Sequence, residues 1–99
     1  MRIIKQYVEA IDDELEGAKK YAEKYVECKV KNDMHSANRY KEMANDELKH
    51  AAYEHEWAVK AIEEISAVYT APIKMQEAWE KSHKEYVEKV AWIKQMLAM

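Results

Sequence analysis

Two stretches of the sequence place a carboxylate three residues ahead of an imidazole: Glu47-Leu48-Lys49-His50 and Glu80-Lys81-Ser82-His83. On a helix the side chains of residues i and i+3 project from one face, so each pair can hold one metal ion, or help bridge two, with little rearrangement. The bland reading of either pair is a solvated contact on a helix surface, because 19 acids among 99 residues make one such spacing unsurprising beside four histidines. Glu47 has a stronger claim on function. It and Glu54 fill steps of an apolar stripe where an aliphatic residue is expected, and burying a lone carboxylate costs several kcal/mol unless it is paired, hydrogen-bonded or bound to a cation.

These residues need elements to position them, and the composition allows only one kind. One glycine, one proline, no phenylalanine and 35% charged side chains leave too few turn formers to punctuate a sheet,. An all-β or α/β chain is excluded, and an all-α, antiparallel three-helix chain is expected as one domain over residues 1–99. The first break is Lys31-Asn32-Asp33, where Asn32 or Asp33 can cap a following helix through its side-chain oxygen,. The second is Thr70-Ala71-Pro72, since proline suits a first helical turn and pushes the residue before it out of the helical region,. The predicted helices cover about 3–30, 34–69 and 72–98, rods of roughly 40, 50 and 40 Å.

Apolar stripes at a period near 3.6 support each helix. The first runs Ile4, Val8, Ile11, Leu15, Ala18, Ala22 and Tyr25. The second runs Tyr40, Ala44, Ala51, Ala58, Ala61, Ile65 and Val68, interrupted by Glu47 and Glu54. The third runs Trp79, Tyr86, Val90, Ile93 and Leu97, with His83 occupying one step.

Register separates the two carboxylate–histidine pairs. A turn centred near Asn32 sets Glu14 opposite His50 and within about one turn of Glu47, and Glu14 leans toward the first helix's apolar stripe. Glu14, Glu47 and His50 can therefore converge. A second turn centred near Ala71 sets His83 opposite Val59 and Glu80 opposite Ile62, roughly 16 Å from that cluster, so this pair cannot complete it within one chain. The same arithmetic brings Trp92, Ile93, Gln95 and Met96 level with Glu47 and His50, and Glu88 level with Glu54.

Glu14, a tyrosine seven residues later at Tyr21, and Glu47-x-x-His50 resemble the first half of a ferritin-like or rubrerythrin-like di-iron carboxylate protein, over Asp12 to Trp57. That family builds its site in a four-helix bundle, with one glutamate from each of two helices and one Glu-x-x-His from each of the other two. The resemblance implies that Glu14 is a terminal ligand, Glu47 a bridging carboxylate and His50 a nitrogen donor, with Tyr21 a neighbour near the metal. It implies Fe or Mn, as a dinuclear centre, and a ferroxidase, peroxide-handling or metal-storage role. The chain departs from the pattern in having no fourth helix. Three ligands are too few for two ions, and the simplest repair is a two-fold homodimer, or a larger homo-oligomer, whose first two helices complete the bundle. Glu54, one turn beyond His50, either extends the metal site or meets lysine or tyrosine groups at an interface. A metal-free helical bundle that acts as a structural or interaction module is the alternative.

Other features bear on partners. A net charge of −3 with no basic run at either end argues against nucleic acid,. No stretch approaches the roughly 18 apolar residues of a membrane span, and nothing at the N-terminus has the pattern of a leader. Cys28 is the single cysteine, which fits a reducing compartment, so a soluble cytoplasmic protein is expected,. Gly17 sits inside a helix at a cost of about 1 kcal/mol relative to alanine, which suggests close approach by a neighbouring helix. His83 is expected as a core histidine, His35 and His55 as exposed, and Cys28 as a small apolar filler.

Overall fold

The structure, a computed structural model, describes residues 2–68 and 70–99. Three helices pack together, α1 (Arg2–Val30), α2 (Met34–Ser66) and α3 (Ile73–Leu97), with no strand among the described residues. The molecule is a rod of 55 × 17 × 17 Å.

The α1–α2 corner is built by two adjacent residues with different tasks. Asn32 takes the left-handed conformation, φ 64°. The Asp33 amide then donates to the Cys28 carbonyl at 2.9 Å and the Asn32 amide to that of Lys29 at 3.0 Å, which closes carbonyls that the end of α1 leaves open. Asp33 also caps α2, its side chain accepting from the Ser36 amide at 3.2 Å. Hydrogen bonding to the Ser36 side chain, and then to its amide, holds the Asp33 carboxyl below its ordinary range. Of the two candidate caps, Asp33 caps and Asn32 turns the chain.

The tight corner lays α2 antiparallel along α1. The core between them is Ile11, Leu15, Ala18, Ala22 and Tyr25 against Ala37, Ala44, Leu48, Ala51 and Ala58. Small side chains on α2 let the backbones approach closely. Leu48, outside the expected stripe, is buried, whereas Val68, within it, is 82% exposed because α2 has already ended at Ser66. The expected helix ran on to Tyr69, which lies outside the described residues.

The second connection is looser. Pro72, with ψ 144°, stands just before α3 and not in its first turn, its carbonyl accepting from the amides of Met75 and Gln76 at 3.0 and 3.1 Å. The Gln76 side-chain amide donates to the Ala71 carbonyl at 2.7 Å. From there α3 returns alongside α1, to which its backbone lies closer than to α2. Ile93 and Leu97 enter the core, and the Lys29 ammonium donates to the Met99 carbonyl, joining the end of α1 to the end of the chain.

The flank that α3 covers decides what remains open. Leu15, Glu16 and Lys19 of α1 share a groove with Glu88, Lys89, Trp92 and Ile93. Burial and the nearby Glu85 push the Asp12 carboxyl up while Lys89 opposes them, which places α3 beside Asp12 too. Residues two apart on a helix point about 200° apart, so the flank carrying Asp12 and Glu16 faces away from the one carrying Glu14. Trp92 and Ile93 therefore do not lie over Glu47 and His50, contrary to what their level on α3 suggested. On α3 it is Ser82 that is buried, and His83, expected in the core, is exposed.

Candidate metal centre

Glu14 on α1 and Glu47 and His50 on α2 come together on the open flank. One potential ligand atom from each lies within 4.8 Å of the other two. His50 Nδ1 is 3.4 Å from Glu14 Oε2 and 3.9 Å from Glu47 Oε1. The two carboxylate side chains are 28% exposed and the imidazole 54%, so the oxygens are recessed and the nitrogen sits at the rim.

Gly17, one turn beyond Glu14, makes room for this arrangement. A Cβ there would stand 3.1 Å from Glu47 Oε2 and 3.5 Å from its Cδ. The close approach expected at Gly17 is real, but the group that approaches is a carboxylate and not a neighbouring backbone.

Electrostatics at the cluster are unfavourable to two bare anions. The Glu47 carboxyl is pushed above its ordinary value, first by a hydrogen bond with Glu14, then by burial and by the Glu14 charge, with His50 partly opposing. Two carboxylates that share a site disfavour each other's ionisation, which is the physical cause of that upward push. Among the described residues no lysine or arginine lies within ion-pair distance of Glu14 or Glu47; His50 is the only basic group there. Two carboxylates and one imidazole form a donor set suited to a borderline or hard divalent ion such as Fe or Mn. A cation needs both carboxylates ionised, so the raised Glu47 pKa would make binding proton-linked,. The residues present therefore fit a metal ion, though three donors leave coordination positions to be filled from elsewhere.

Glu54 does not join them. It borders a shallow recess with Ile3, Gln6 and Tyr7, where α1 offers no second carboxylate. Tyr21 stacks on Tyr40 at 6.3 Å between ring centroids, two turns and about 10 Å along the helix from Glu14.

The second carboxylate–histidine pair has a different fate. His83 Nδ1 meets His55 Nε2 at 2.8 Å, with Glu80 taking no part. His55, expected to be exposed, is half-buried with its ring on Tyr86 at 4.3 Å and near Trp79 at 5.5 Å. Sequence reasoning set His83 opposite Val59. The true partner is one turn away, because α2 ends at Ser66 and α3 begins at Ile73, which moves the midpoint between the two helices ahead of Ala71. The signal available was that His55 and Val59 share a helix face four residues apart.

Among the described residues no helix is long and apolar enough to cross a membrane. Compared with family models, curated proteins and solved structures, the chain finds no match in any of the three.

Proposed function

We propose that this chain is a ferritin-like metal-binding protein whose Fe or Mn site is assembled between two copies. The observation that carries the reading is the Glu14–Glu47–His50 cluster: two recessed carboxylates, of which Glu47 has a raised pKa, with no lysine or arginine among the described residues to neutralise them. Apposing the open flanks of two α1–α2 hairpins about a two-fold axis would contribute four carboxylates and two imidazoles, the ligand count of a dinuclear bundle site. In that assembly Glu14 and Glu47, the latter backed by Gly17, would supply carboxylate oxygens, and His50 would supply nitrogen from the rim. When bound, Fe or Mn with open positions would supply oxidation chemistry with dioxygen or peroxide, consistent with ferroxidase, peroxide-handling or storage roles. The protein's own part would be to hold the two carboxylates and the imidazole close enough to reach one ion.

The competing reading is a metal-free bundle acting as an interaction module. What favours it is that the Glu14–Glu47 hydrogen bond and the neighbouring His50 already stabilise the cluster without an ion. Elemental analysis after anaerobic loading with Fe(II) or Mn(II) separates the two. The parent chain should retain metal that a Glu47→Ala/His50→Ala variant lacks, and equal metal in both would sink the site. Light scattering showing a strict monomer that binds no metal would end the two-copy assembly.

A further inference from the structure

His55 and His83 come from different helices, yet their ring nitrogens face one another at 2.8 Å. Both rings are held in place. His55 lies nearly parallel to Tyr86, at 10° and 4.3 Å between centroids, and stacks on Trp79 at 5.5 Å. His83 is tilted against His55 at 5.0 Å and sits 6.4 Å from Trp79. One face of the pair is thus an aromatic wall, while His83 itself is exposed and gives access from solvent.

The geometry points to a second metal site, a mononuclear one in which His55 Nε2 and His83 Nδ1 chelate a copper(II)-type divalent ion and clamp α3 to α2. Two ligands at right angles, each about 2.0 Å from a metal, stand about 2.8 Å apart. The 2.8 Å of the metal-free pair is a hydrogen-bond distance that a small opening would widen, so the choice of ion rests on the donors: imidazole suits Cu, Ni and Zn, and the Irving–Williams order favours copper,. Imidazole must be neutral to bind, and burial with the neighbouring His83 holds the His55 ring below the ordinary histidine range. In the metal-free pair one N–H lies between the two nitrogens. On binding, that proton moves to the other nitrogen of its own ring, so two neutral imidazoles face the ion and no net proton is released. Water completes the coordination. The two protein donors here are both imidazoles, and the site shares no residue with the carboxylate cluster.

The test titrates the full chain with Cu(II) at pH 7.5, in a Trp57→Phe/Trp92→Phe background that leaves Trp79 as the only tryptophan. Trp79 emission should fall saturably with one equivalent of copper, since a paramagnetic ion at the histidines would sit close to the indole. His83→Gln should weaken this binding tenfold or more. His55→Phe keeps a ring on Tyr86 while removing both nitrogens, and should weaken it equally. Glu47→Ala/His50→Ala should leave it unchanged. Quenching of undiminished strength in either histidine variant would overturn the site, as would its loss in the carboxylate variant alone. Failure of Fe or Mn to bind at Glu14, Glu47 and His50 would leave these outcomes unaltered, so the two proposals fail separately.

Discussion

At Gly17 stability and function pull in opposite directions. Alanine there would gain about 0.5–1 kcal/mol in helix propensity, but its methyl carbon would stand 3.1 Å from Glu47 Oε2. The crowded atom ends a flexible side chain that is 28% exposed, so it can swing aside. Gly17→Ala should therefore leave the metal-free melting temperature unchanged or higher while lowering Fe(II) affinity, measured by melts and metal titration on one preparation. Glu47→Gln gives a second expectation, with a sign set by proton linkage. The folded-state pKa of Glu47 lies above its ordinary value. Its contribution is thus fully present below the ordinary carboxylate pKa and is lost as pH rises through the raised folded value. Near pH 7 the metal-free Glu47→Gln variant should be more stable than the parent by about 0.5–1 kcal/mol, and the gap should narrow toward pH 4. With Fe(II) present the order should reverse, since only the parent gains from the ion. The residues of this cluster were legible in the sequence because i, i+3 spacing and a tight antiparallel turn suffice to place them. Between the two readings open for Glu54 the sequence could not choose, because helical periodicity gives its face but not what α1 presents at that level, which is Ile3, Gln6 and Tyr7.

Among the helices, legibility followed the tightness of the connections. The three residues between α1 and α2 leave almost no freedom, and the expected register brings Glu14 to His50 as found. The six residues between α2 and α3 allowed an error of one turn, enough to hide the contact of His55 with His83. The flank that α3 occupies was not legible either. Its stripe mixes Trp79, Tyr86 and Val90, which are only half-buried, with an exposed His83, and such a stripe fits either side of the hairpin. The tight corner itself makes a prediction. Asn32 has φ 64°, a conformation that costs a β-branched residue about 1–2 kcal/mol and glycine nothing,. Asn32→Val should destabilise the protein by about that amount, whereas Asn32→Gly should be neutral or slightly stabilising, as read from denaturant midpoints at constant slope.

Across the whole molecule, the hairpin has one covered flank and one open one. Along α2 the open flank carries Met43, His50 and Trp57, spaced seven apart and so on one stripe, with Trp57 53% exposed,. Tyr53 stacks on Trp57 at 6.5 Å, extending the aromatic surface at that end. A surface that sets apolar groups on either side of recessed carboxylates suits a second copy of itself, because two-fold pairing would cover Trp57 and bring the two ligand sets together in one step. Association and metal retention should then be lost together. Trp57→Asp places a charge on that stripe about two turns from His50, without touching any proposed ligand. It should lower the mass measured by light scattering from two chains to one and reduce Fe(II) retained per chain. Val87→Asp, an equally exposed change on α3, should alter neither. A monomeric Trp57→Asp protein that kept its full metal content would show that Glu14, Glu47 and His50 of one chain suffice, and the site would then be mononuclear and built within a single hairpin.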